Sequence, residues 1–206
     1  LAKERHGGVE QFAGAQASAF LSSFQPDVAL VAGWPRKIGA HLLHIPRYGF
    51  LNLHPSLLPD LRGPEPLFWA FRLGMAHTGV TIHLMDATFD TGPILAQEPL
   101  PLPAGISGTE AEQQAGALGG ALFMRTLTEL QAGTIVPRPQ GTGRYLPNPS
   151  ANDFRVDPSW SAQRMFSFMR GVAEWRHPYP ITVAGTHLLL SEAIRYEPNA
   201  TQPHSL

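Results

Sequence analysis

The chain contains no cysteine, which excludes disulfide staples, thiolate nucleophiles and cysteine-ligated zinc. That absence fits a reducing compartment, and the cytoplasm is the default expectation. No apolar run approaches the ~18 to 20 residues of a membrane span. The opening residues Leu1-Ala2-Lys3-Glu4-Arg5-His6 lack the apolar core of a signal peptide. Charge imbalance is missing too: 15 Lys and Arg stand against 16 Asp and Glu, a net charge of -1. Nothing overall attracts nucleic acid or an anionic membrane, although a local basic patch is compatible with this balance. The sequence has no G-x-G-x-x-G, G-x-x-x-x-G-K or G-x-S-x-G, so dinucleotide, P-loop and serine-hydrolase chemistries find no anchor. Leu1 stands where Met would open a chain, which leads us to expect a fragment or a chain without its beginning.

What is present is globular. The 206 residues suit one α/β domain, or one domain with a small appendage. The 43% hydrophobic content and 15% charged content fit a packed core, and the 20 Gly and 20 Pro point to many ordered turns. There is no internal repeat at solenoid periods.

The periodicity predicts a weakly amphipathic helix over Val9 to Phe24, then a short apolar strand, Val28 to Ala32, of the parallel kind covered on both faces. A short helix follows over Arg36 to Leu43, and Tyr48 to Leu53 is a second buried strand. His54 to Pro66 is a proline-rich loop leaving its carboxyl end, where ligand sites gather in open α/β sheets. Leu67 to Met75 returns as helix, and Gly79 to Met85 alternates as a strand. Asp86 to Gly92 turns into a strand over Ile94 to Glu98, and Thr109 to Gln131 is the longest helix. Gly116, Gly119 and Gly120 within it are expected to allow close packing. Residues 1–135 form the core by this reading. Residues 136–206 form a Pro/Gly-rich connector and a small helix-hairpin subdomain, with Asp157 as N-cap, Pro158 as first helical residue and an apolar face of Met165, Phe166, Met169 and Val172. Gly185-Thr186 is the expected hairpin turn.

Chemistry concentrates in Asn52-Leu53-His54-Pro55-Ser56-Leu57-Leu58-Pro59, followed by Arg62-Gly63 and later by Phe89-Asp90-Thr91-Gly92. Residues two apart on a strand project to one side, so Asn52 and His54 present an amide and an imidazole to one cleft. An amide N–H stabilises a carbonyl oxygen as it becomes anionic, and an imidazole moves protons near neutral pH. Asp90, in a tight Asp-Thr-Gly turn, can orient His54, favour its protonated form or hold a relay water. Any one of these residues alone is commonplace; their shared place on strand ends and tight loops is what counts. Ser56 reads as loop hydrogen bonding, Thr81 as support from the neighbouring strand, and Arg62 as a phosphate contact or a donor to main-chain carbonyls.

These motifs, with Gly79-Val80-Thr81-Ile82-His83 between them, resemble the folate-dependent formyltransferase family from about Pro26 to Ala132. The likeness continues more weakly to Pro180 through Phe168-Met169-Arg170-Gly171. The resemblance implies a Rossmann-like core with a mostly parallel sheet, whose first strand, helix and strand would precede Leu1. It implies Asn52, His54 and Asp90 as catalytic residues and 10-formyltetrahydrofolate as donor, with no metal. The pterin would enter a pocket formed by Gly33, Trp34, Pro35, Arg36 and Ile38 together with Met85, Asp86 and Phe89. An amine would attack the formyl carbon, the oxyanion being held by Asn52 and protonated His54, while Asp90 carries the amine proton through water to the leaving nitrogen.

For the acceptor, a nucleotide-linked amino sugar is favoured over initiator tRNA, because net positive charge is lacking and Asp60 follows the motif where a basic residue would suit a polyanion. Three rivals stand beside transfer. Hydrolysis of the donor is disfavoured because Pro55, rather than a second His, follows His54. A metal hydrolase built on His41 and His44 lacks a carboxylate at ligand spacing. A noncatalytic folate-binding relative is the third. Trp69, Trp160 and Trp175 read as core or rim packing.

Overall fold

Four strands and the helix laid across them position everything that follows. The computed structural model describes residues 15–34 and 36–197. Helix α1 (Ala15–Phe24) realises the second part of the first expected helix, and Val9 to Gly14 lie outside the described residues. Strand β1 (Ala29–Ala32) runs parallel to β2 (Phe50–His54). Next to β2 comes β3 (His77–Leu84), and next to that β4 (Ile94–Pro101), both pairings antiparallel. The order is β1-β2-β3-β4.

This sheet corrects the expectation of a mostly parallel one: among the described residues it is mixed, and only the β1–β2 pairing is parallel. The 85–93 connection between β3 and β4 is shorter than the dozen or so residues that a parallel crossover needs. A second correction concerns β1, which is not covered on both faces. It is the edge strand of the described sheet, with Val31 buried against Leu43 and Phe50 and Leu30 45% exposed. A third concerns β3, where the expected alternation gives way to burial of every residue from Thr78 to His83. The strand is flanked by β2 and β4. The 55–58 loop also reaches it, the Thr78 hydroxyl donating to Pro55 O and that of Thr81 to Ser56 O.

Helix α2 (Pro66–Leu73) starts with proline in its first turn, where the missing N–H costs nothing. Helix α3 (Gly108–Ala132) opens on a capping box, Ser107 accepting from Glu110 N while the Glu110 carboxylate accepts from Ser107 N. It packs on β3 and β4. A side chain at Gly119 would collide with Leu53, so that glycine allows the close approach expected of it, whereas Gly116 and Gly120 face open space.

The predicted helix over Arg36 to Leu43 does not form. Leu42 N donates to Gly39 O at 2.8 Å, Leu43 N to Ala40 O at 3.3 Å and Ile45 N to Leu42 O at 3.1 Å, a run of turns that buries Leu42 and Leu43 without an α-helical ladder. Gly39 favours such turns over helix, and Pro46 ends the run.

Beyond α3, helix α4 (Ala162–Gly171) is capped by Ser161, whose Oγ accepts from Arg164 N. Asp157 is not its cap: the Asp157 carboxylate accepts from the N–H and hydroxyl of Ser159 in a turn of its own. Of the expected apolar face, Met169 and Val172 are buried, but fully buried Phe168 is its centre and was not among the expected residues. Strands β5 (Tyr179–Val183) and β6 (Thr186–Leu190) form the expected hairpin. Its turn is Ala184-Gly185 rather than Gly185-Thr186, with φ of 47° and 80°. One hydrophobic cluster straddles position 135, joining Leu61, Phe68, Phe71 and Leu102 to Leu146, Phe154, Phe168 and Tyr179. Among the described residues no helix is long and apolar enough to cross a membrane.

Candidate active site

Asn52 and His54 lie at the carboxyl end of β2, opposite His83 and Thr81 of β3 in the strand register. The loop after β3 carries Asp90 to the same place in a left-handed backbone conformation, φ 56°. Gly63 N donates to Asp90 Oδ2 at 2.9 Å, and Asn52 Nδ2 donates to Oδ1 at 3.3 Å. His54 Nδ1 stands 3.6 Å from Oδ1 and His83 Nε2 3.8 Å from it. The three residues expected to act together therefore converge on one carboxylate, whose side chain is 12% exposed.

Three residues absent from the expected site hold it in shape. Gln140 donates from Nε2 to Asp90 O at 3.0 Å and to Gly92 O at 2.7 Å, which secures the strained Asp90 loop. Its Oε1 accepts from Arg62 Nε and a terminal N–H, and Arg62 also donates to Gly141 O. The Gly141 contact is the main-chain donation expected as one of two uses for Arg62. Gln97 donates to Leu58 O at 2.8 Å and to Thr81 Oγ1 at 3.0 Å. Thr81 in turn donates to Ser56 O and accepts from Leu58 N, and Ser56 Oγ donates to Asp60 O.

His83, the third, is 1% exposed and decides how the Asn52 amide faces. Its Nδ1 meets Leu84 O at 2.8 Å, and a carbonyl only accepts, so the proton sits on Nδ1. The lone pair on Nε2 then accepts from Asn52 Nδ2 at 3.1 Å. With Asp90 taking the second N–H, the Asn52 NH2 points into the site and its orientation is fixed by two acceptors.

Burial sets the charges. It lowers the pKa of His54 below 6.5, although the Asp90 carboxylate pulls it back up and the Leu61 carbonyl helps. Burial alone would raise Asp90. His83, the charge of His54 and the Gly63 N–H outweigh it and hold the carboxyl below 3.8. At 3.8 Å, and with its lone pair on Nε2, His83 offers the carboxylate no proton while neutral, so the direct contact that favours the ionised form is the Gly63 N–H. His54 Nε2 donates to Leu61 O at 2.9 Å. This differs from the expected protonated His54 donating to an oxyanion: at rest Nε2 is committed to Leu61, Nδ1 faces Asp90, and burial favours the neutral ring. Half-buried Asn52 is the more accessible donor.

The expected donor-binding residues fall into two adjoining loops. Trp34, Ile38 and Met85 pack against the cluster of Val31, Leu43 and Phe50. Lys37 Nζ lies 5.2 Å from the centre of the Phe89 ring, which links the loops. Gly33 and Arg36 are exposed, and Pro35 lies outside the described residues. Asp86 accepts from Thr88 and Thr91, so its carboxylate serves its own loop. The Trp34 indole N–H is buried with no hydrogen-bond partner. Among the described residues no group of three or more His, Asp or Glu is arranged to hold a metal, and His41 and His44 sit exposed on the turns.

The sequence model described as formyl transferase matches residues 8–127. The chain belongs to the formyl transferase family. A methionyl-tRNA formyltransferase of Acidobacterium capsulatum is 32% identical over 195 residues, 91% of this chain and 62% of that protein. One from Thermodesulfovibrio yellowstonii is 33% identical over 160 residues, 77% of this chain and 52% of its own length. This formyl transferase family member thus spans about half to three-fifths of those relatives. Among solved structures, the formyltransferase PseJ from Anoxybacillus kamchatkensis, in complex with UDP-4,6-dideoxy-4-formamido-L-AltNAc and tetrahydrofolate, is 27% identical with a TM-score of 0.54. That match covers 59% of this chain and 65% of PseJ. A sugar N-formyltransferase from Shewanella sp. shares the fold at TM-score 0.67 and 17% identity, over 90% of this chain and 76% of its own.

Proposed function

We propose that the chain transfers a formyl group from 10-formyltetrahydrofolate to a primary amine. The observation that carries this reading is the Asn52 NH2, oriented by His83 and Asp90 beside a carboxylate kept ionised. When bound, the donor supplies an electrophilic formyl carbon. Trp34, Ile38 and Met85 offer an apolar seat for its pterin, and the unpartnered Trp34 N–H offers a donor there.

Asn52 stabilises the negative charge that grows on the formyl oxygen, its N–H turning from the longer bond to Asp90. Asp90 accepts the proton that becomes acidic once the amine nitrogen bonds to carbon, and returns it to the leaving nitrogen, so the enzyme ends unchanged. His54 fastens the Leu61 carbonyl, which holds the proline loop in register beside Asp90.

For the acceptor, 32–33% identity to methionyl-tRNA formyltransferases favours the α-amine of methionyl-tRNA. The net charge of -1 and the exposed Asp60 favour a nucleotide-linked amino sugar, the second reading. The test incubates the chain with formyl-labelled donor and each acceptor in turn. Label in formylmethionyl-tRNA supports the first and label in an amino-sugar nucleotide the second. Formate release without any amine would make the chain a hydrolase, and donor binding without turnover a noncatalytic relative.

A further inference from the structure

A cavity of about 620 Å³ is lined in part by the loop that His54 grips. Its walls include Leu61, whose carbonyl accepts from His54, and three arginines, Arg72, Arg144 and Arg164. We infer that this cavity binds the phosphate-bearing nucleotide portion of the amine acceptor. The inference rests on the formyl-transfer reading and names a chemical feature that both proposed acceptors share.

Two arginines are already oriented. The Arg164 guanidinium lies 4.1 Å from the centre of the Trp160 ring and that of Arg72 4.8 Å from the same centre. These cation–π contacts restrict both guanidiniums, so less freedom remains to be lost when an anion meets them. Arg72 gives one N–H to Arg155 O at 2.7 Å. Arg164 Nε is buried near Gly74 without a hydrogen-bond partner, so an anion meeting the rest of the guanidinium would offset part of the cost of burying it. Arg144 is exposed and makes no side-chain hydrogen bond or ion pair among the described residues.

Two carboxylates also line the cavity, those of Asp60 and Asp157, and three guanidiniums outnumber them. Asp157 Oδ1 is occupied by Ser159, accepting from its N at 2.9 Å and its Oγ at 2.7 Å. The volume lies within the several hundred Å³ usual for small-ligand sites. Trp69 lines the same space with its N–H already given to Pro147 O, which leaves its ring as an apolar surface for a base or ribose. Cavity and catalytic residues share the 60–63 loop, itself tied to the 144–146 segment by Leu146 N donating to Arg62 O at 2.8 Å. An acceptor anchored here by its phosphate is thereby held next to the loop that positions His54 and Asp90.

The test titrates AMP, UMP and their unphosphorylated nucleosides into the purified chain by calorimetry, with no folate present. The expected result is binding of at least one nucleotide, at least about tenfold tighter than its nucleoside. Arg144→Gln and Arg164→Gln should each weaken it by about tenfold. Arg125→Gln, which removes a surface partner of Glu98 outside the cavity, should bind as the parent does. Preference for AMP points to the 3′-terminal adenosine of tRNA, and preference for UMP to a nucleotide sugar; either supports the site. Should Arg164→Gln misfold, exposed Arg144 on its loop carries the test alone. No nucleotide binding at millimolar concentration, or binding unchanged in Arg144→Gln, overturns the inference. Because no donor is present, these outcomes do not depend on whether formyl transfer occurs. Conversely, transfer by Arg144→Gln with an unchanged acceptor KM overturns the site and leaves the transfer reading standing.

Discussion

Asp90→Asn keeps the side chain's size and removes its charge. In the folded chain the carboxylate accepts from Gly63 N at 2.9 Å and from Asn52 Nδ2 at 3.3 Å. Charge-assisted bonds are worth about 1.5–3 kcal/mol each and neutral ones about 0.5–1.5. The new amide keeps the Gly63 bond through its oxygen but turns an NH2 toward the Asn52 NH2, donor against donor. Relief from burying a charge offsets part of this, so the net loss of stability should be about 1–2 kcal/mol. The catalytic loss is larger, because the only proton carrier is gone: about 10²- to 10⁴-fold in transfer rate. Single-turnover transfer of labelled formyl, with thermal melting of the same sample, separates the two effects. The sign with pH is also fixed. Asp90 is held below its ordinary 3.8, so its contribution to stability is present above that pH and is lost as pH falls through the lower folded value. The stability gap between parent and variant should therefore close below about pH 4. A folded Asp90→Asn that transfers formyl within a few-fold of the parent rate refutes the proton-carrier role.

Three further outcomes are expected. His83→Phe deprives the Asn52 amide of an acceptor and should lower kcat on the order of 10- to 100-fold with little change in donor KM. His83→Gln, which restores an acceptor oxygen, should recover part of that rate; equal loss in both variants would point to packing alone. Gly63→Ala places a Cβ against the Leu146 carbonyl at φ 122°, and should cost more than about 2 kcal/mol by thermal melting because strain adds to steric overlap. Burial lowers the pKa of His54, so its contribution to stability is complete above about pH 6.5 and is lost as pH falls toward the folded value. Denaturation across that window should show a smaller pH slope in His54→Gln than in the parent, and equal slopes would contradict burial as the cause.

Much of the site was legible because it is local. Asn52 and His54 are two apart on one strand, and the Asp90-Thr91-Gly92 turn reads directly from residue types. His83 was not legible, since its contact with Asn52 depends on the antiparallel β2–β3 register rather than on spacing within a strand. Gln140 lies in the connector, far along the chain from the Asp90 and Gly92 carbonyls it secures. The antiparallel β3–β4 pairing was implicit in the short Asp86 to Gly92 turn, whereas the antiparallel β2–β3 pairing across a long connection and the burial of β3 by its neighbours are not properties of a single segment. Asp157 carried a real capping signal, but its carboxylate was captured by Ser159, and Ser161 took the helix end.

Incubating the chain with 10-formyltetrahydrofolate and a panel of amine acceptors, while following tetrahydrofolate and formylated product together, tests the central claim most directly. The account predicts equal amounts of both products with one acceptor class, and neither in the Asp90→Asn variant. Product formation that survives Asp90→Asn, or formate in place of a formylated amine, would contradict it.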